Sequence, residues 1–128
     1  MIKKEDDIDN AYKEALKKGP SEKTRKICCK DSLYSCLYAE NIDKSPHKDT
    51  RMGSCNNDYD AYFYALYIDK YPFNNTRKAV YKNPYLSYFY AVNIDKYAHK
   101  DTWEAVKNTE YEEDYKKFFH SLMKEEII

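Results

Sequence analysis

The chain repeats itself every 26 residues. Thr24, Thr50, Thr76 and Thr102 stand at that interval. The first three are followed by Arg25, Arg51 and Arg77, the last by Trp103. Tyr12, Tyr38, Tyr64 and Tyr90 keep the same step, as do the Ile-Asp-Lys triplets at 42–44, 68–70 and 94–96. A fixed period of this length marks a chain of supersecondary units, each able to cover its apolar face only by stacking on a neighbour. The period therefore predicts an all-α fold, a short α-solenoid of two-helix repeats with about nine helices, alternate ones short. Its 128 residues make one domain. The divisions are a partial N-terminal repeat at 5–18, repeats near 24–49, 50–75 and 76–101, and a C-terminal capping unit at 102–128.

Residues 5–18 place Ile8, Ala11, Tyr12, Ala15 and Leu16 on one helical face, and Gly19-Pro20 stops the helix. Each full unit then opens with a short helix, predicted to start after Asp49, Asn75 or Asp101, with Lys23 in the corresponding place of the first unit. Asp101 and Glu104 have the spacing of a capping box. The longer helix is predicted to start after Asp31, Asn57, Asn83 or Thr109, whose side-chain oxygens suit orphan amides. Pro84 falls at the first helical position, where its missing N–H costs nothing. Each longer helix runs to an Asp-Lys, and Pro46 and Pro72 lie beyond it.

The longer helix is apolar on two flanks, one with Tyr85, Tyr88, Phe89 and Val92, the other with Ser87, Tyr90, Ala91 and Ile94. That suits an inner position covered from both sides. Ala39, Ala65 and Ala91 share a register where a small side chain lets a neighbouring helix approach. Most tyrosines read as core, with the hydroxyl at the rim reaching water. In the last unit Lys117, His120 and Ser121 replace Ala91, Ile94 and Asp95, while Tyr111, Tyr115, Phe118 and Leu122 keep one apolar face. That is the pattern of a terminal cap.

Balanced charge, 22 basic against 22 acidic residues, argues against a basic-patch nucleic-acid binder and against an acidic mimic of DNA. The charged N-terminus has no secretory leader, and no apolar run reaches spanning length, so no membrane association and a cytoplasmic location in the host cell are expected. Cys28, Cys29, Cys36 and Cys55 lack the spacing of a zinc site. Cys29 and Cys55 sit on equivalent turns of adjacent units, and helices stacked about 8–10 Å apart exceed disulfide reach. Thiols in a reducing compartment are the preferred reading over metal or disulfide.

His47 and His99 share a register with Phe73, which points to a loop rather than catalysis. His120 lies beside Phe118 and Phe119. Asp43, Asp69 and Asp95, each followed by lysine, read as solvated or inter-layer ion pairs. No phosphate-binding glycine loop, HExxH or GxSxG occurs, so no enzyme activity, cofactor or metal is expected.

The stretch Asn83 to Ala91, N-P-Y-x-S-Y-x-Y-A, and its counterpart from Asn57 to Ala65 resemble a short two-helix repeat of phage-encoded proteins. Those repeats show P-x-x-A-Y-x-Y-A followed by a P-E-x-E-like helix start. Here that start is P-H-K-D, P-F-N-N or A-H-K-D. The resemblance spans about residues 24–119 and implies a phage or mobile-element origin, with no activity to carry over.

Two function classes follow. The first is a non-enzymatic scaffold for a partner protein, and the implied origin suggests a host target such as a CRISPR effector of bacterial immunity. The second is a binder of single-stranded nucleic acid, with tyrosines stacking on bases and Arg25, Arg51 and Arg77 forming a ladder for phosphates. Aromatic departures from the repeat mark the expected partner-binding residues. They are Tyr67, Tyr71, Phe73, Tyr81, Tyr97 and Trp103, with Trp103 the foremost.

Overall fold

The computed structural model describes residues 4–120. Among the described residues there are nine α-helices and no strand. They are α1 (Lys4–Lys18), α2 (Glu22–Cys28), α3 (Ser32–Tyr38), α4 (Lys48–Ser54), α5 (Asp58–Phe63), α6 (Asn74–Ala79), α7 (Pro84–Tyr90), α8 (Lys100–Val106) and α9 (Glu112–Phe118). Three π-helical segments continue α3, α5 and α7: π1 (Ala39–Asp43), π2 (Tyr64–Asp69) and π3 (Ala91–Asp95). Helices α1, α3, α5 and α7 pack side by side in one layer; α2, α4, α6 and α8 pack in the other. Leu122 and Ser121, assigned above to the capping unit, lie outside the described residues.

The longer helices begin where their caps predict. Asp31, Asn57 and Asn83 each accept a hydrogen bond from the amide three residues on. The short helices do not. Their N-caps are Ser21, His47, Phe73 and His99, two residues before the predicted starts. His47 and His99 serve through Nδ1, which accepts from the amides of Asp49 and Asp101 at 3.0 Å. Glu104 consequently pairs with Lys107 at 2.7 Å and makes no capping box. Thr109 does not cap α9 either; the helix starts at Glu112, after Tyr111.

A buried hydroxyl network explains the repeated Thr and Tyr. The Tyr64 hydroxyl accepts from the His47 amide at 2.9 Å, donates to the His47 carbonyl at 3.0 Å and meets the Thr50 hydroxyl at 2.7 Å. Tyr38 does the same with Ser21 and Thr24, and Tyr90 with Phe73 and Thr76. These hydroxyls bind the start of the short helix instead of reaching water. The last unit is one residue shorter. Tyr115, not Lys116, meets Thr102 at 2.8 Å, which puts Phe119 in the buried place of Ile94. In the first unit Leu16 is exposed, despite the amphipathic pattern.

The arginines explain the repeated aspartates. Each guanidinium forks onto the carboxylate 18 residues later: Arg25 on Asp43, Arg51 on Asp69 and Arg77 on Asp95. The π turn carries an extra residue per turn, so it rotates Asp away from its place in a continuous α-helix. Lys44, Lys70 and Lys96 do not pair with these aspartates. They end the π segments in the left-handed region, φ 55, 53 and 61°.

Candidate functional site

The fold absorbs the residues common to every unit. Arg25, Arg51 and Arg77 are engaged by carboxylates, so they form no open basic ladder. The hydrogen bonds that Arg25 donates to the Asp43 carboxylate raise the Arg25 pKa above its ordinary value, and those to Asp69 do the same for Arg51. Burial acts against the Arg77 charge, and Asp95 outweighs it. Ala39, Ala65 and Ala91 are fully buried, as their register predicts.

Of the six aromatic departures, Tyr71 and Phe73 meet with ring centroids 5.6 Å apart. Tyr71 and Tyr97 are exposed and line a cleft of about 560 Å³ beside Lys70 and Lys96. Phe73 is half-buried, with the Arg51 guanidinium 3.8 Å above its ring. Trp103 is also half-buried and packs on the cluster of Ala91, Val106, Tyr115 and Phe119. Its replacement of arginine coincides with the absence of an aspartate partner in the last unit. Tyr81 is exposed just beyond α6. Tyr67, 59 % exposed, stands on π2 with its ring 5.0 Å from Phe63.

Tyr67 belongs to a second cleft, of about 520 Å³, between α3–π1 and α5–π2. Leu33, Cys36 and Leu37 line one side, and Tyr59, Tyr62 and Phe63 the other. Leu66 and Tyr67 also line it, and Glu40 and Asp60 are its charged lining residues. Leu33 and Tyr59 are more than half exposed. Sequence reasoning missed both. A signal existed, because Leu33, Tyr59 and Tyr85 share one register, and all three are exposed. Repetition alone pointed to the core, and only the helix orientation shows this register facing outward.

Burial pushes the Cys36 thiol up to about 12, so it is a poor nucleophile at neutral pH. Cys28, Cys29 and Cys55 are also free thiols, and burial raises each. Among the described residues no group of three His, Cys, Asp or Glu is placed to hold a metal ion. None of the described helices is long and apolar enough to cross a membrane. No family model, curated protein or solved structure matches this chain.

Proposed function

We propose that the chain is a short α-solenoid of 26-residue repeats serving as a non-enzymatic scaffold that binds a partner protein. What supports this reading is the apolar cleft between α3–π1 and α5–π2, with Tyr59 and Tyr67 exposed on its walls. Exposed aromatics beside an unfilled apolar cleft are the material from which interface hot spots are made. The resemblance to phage-encoded repeats extends the proposal. The protein acts in the host cytoplasm and blocks a component of bacterial immunity, such as a CRISPR effector. The nucleic-acid reading has less support, because the arginines it needs are each occupied by aspartate.

The test is affinity capture from host cytoplasm followed by mass spectrometry, with Tyr59→Ala and Tyr67→Ala as controls. Truncation of a central contact is expected to cost about 2 kcal/mol or more of binding. Circular dichroism checks that both variants fold. A captured protein retained equally by both variants would place binding elsewhere. Capture of RNA or DNA that declines steeply with salt would favour the nucleic-acid reading.

A further inference from the structure

One junction in the long-helix layer departs from the following junction at both positions that would close it. Between π3 and α5, Asn93 Nδ2 donates to Tyr62 Oη at 2.9 Å. Between π1 and α1, Asn41 Nδ2 bonds instead to a ring of another register, Tyr12 Oη at 2.9 Å, and Asn10 stands where Tyr62 does. One unit before Asn93 and Tyr62, the corresponding residues are Tyr67 and Cys36. The amide has become a ring that turns onto Phe63. The ring has become a small thiol, which donates to the Asp60 carbonyl at 3.4 Å. The next two units carry Tyr62 and Tyr88 in the Cys36 register. Relative to the later units a ring's volume is thus missing from this junction, and the cleft between α3–π1 and α5–π2 lies there.

Charge is segregated at the same place. Segments 32–43 and 58–69 contain no lysine or arginine. Their carboxylates are Glu40, Asp43, Asp58, Asp60 and Asp69. Arg25 and Arg51 neutralise Asp43 and Asp69. Among the described residues Glu40, Asp58 and Asp60 make no ion pair, and Glu40 and Asp60 line the cleft. Apolar walls with acidic groups and no opposing cation complement one kind of occupant.

We infer that this cleft docks a cationic amphipathic helix of the partner protein. The apolar edge of that helix enters between Leu33, Leu37, Tyr59 and Phe63, and its Lys or Arg flank meets Glu40 and Asp60. Helix-in-groove recognition uses apolar anchors at helical spacing, and basic side chains can lay their stems on apolar walls while their charge reaches the rim. The inference rests on the scaffold reading and specifies what the partner presents.

The probe is a labelled Leu/Lys amphipathic peptide of roughly five helical turns, with a Leu/Glu peptide of the same pattern beside it. Fluorescence anisotropy with the full chain is expected to show binding of the Leu/Lys peptide that weakens with salt, and none of the Leu/Glu peptide. Cys36→Tyr restores the ring of the later units and closes the cleft. Glu40→Lys reverses an exposed charge, and Tyr67→Asn restores the register's amide at an exposed position. Each is expected to weaken Leu/Lys binding about tenfold or more, with the helical spectrum kept. Should Cys36→Tyr not fold, the other two variants decide. Equal binding of both peptides, or undiminished binding by folded Glu40→Lys and Tyr67→Asn, overturns the inference. A dimer seen in sedimentation and dissolved by Tyr67→Asn would give the cleft to a second copy and also overturn it. A captured partner whose hold survives these variants would leave the scaffold reading standing and this one refuted.

Discussion

The tyrosines divide by what their hydroxyls reach. Tyr38, Tyr64, Tyr90 and Tyr115 are fully buried, and each meets a threonine hydroxyl. Tyr59 and Tyr67 stand in solvent on the same layer. Tyr64→Phe strands the His47 amide, and Tyr90→Phe strands that of Phe73. Each is expected to lower unfolding free energy by about 1–3 kcal/mol in urea titrations. Tyr59→Phe should stay within about 0.5 kcal/mol. The thiols give a pH dependence. Burial raises Cys28 and Cys36 from 9.0 to about 12. Between those values the folded chain retains protons that the unfolded chain releases, so stability is full below the lower one and falls toward the higher. The urea midpoint should therefore be lower at about pH 10 than at about pH 8. An unchanged midpoint would mean that these thiols are solvated.

At the scale of elements, caps and crossings compete with intrinsic propensity. The predicted starts of the short helices used good capping residues, Asp49, Asn75 and Asp101. The chain starts each helix two residues earlier, because the buried tyrosine hydroxyl grips the backbone of His47, Phe73 or His99. Tertiary hydrogen bonds here outrank a local cap. Gly53 shows the same competition. It lies inside α4, where alanine would ordinarily be favoured by about 1 kcal/mol. A Cβ there would stand 2.9 Å from the Cys29 carbonyl oxygen, and closer still to the Ser35 side chain of α3. Gly53→Ala is expected to lower the melting temperature, and a rise would show that α3 can yield at this crossing.

For the whole molecule, layer spacing is set at Ala39, Ala65 and Ala91, each fully buried in the first two residues of a π segment. Ala65 packs in one cluster with Val80, Leu86, Tyr90 and Ile94, and Ala91 in the next with Ala98, Val106 and Tyr115. A larger side chain must push two elements apart. Ala65→Leu and Ala91→Leu are each expected to cost about 1–3 kcal/mol by chemical denaturation. Unchanged stability in either would mean that the layers have room to separate. Trp103→Ala belongs with these variants. Its ring lies 5.7 Å from Tyr115, so its loss should act on stability before it bears on any partner.

The helical class, the long-helix caps Asp31, Asn57 and Asn83, and the small alanine register were legible in residue order alone. Periodicity and capping are local, and a helix start needs only its first turn. The Arg–Asp forks were not legible, because each joins residues 18 apart through a π turn that no residue pattern announced. The same holds for the clefts. Tyr67 stands out as a departure from the repeat, whereas its neighbour Tyr59 shares its register with Leu33 and Tyr85 and does not. Repetition says that a residue sits in the same environment in each unit. Whether that environment is core or solvent depends on which way the stacked helices face, and only the tertiary packing decides it.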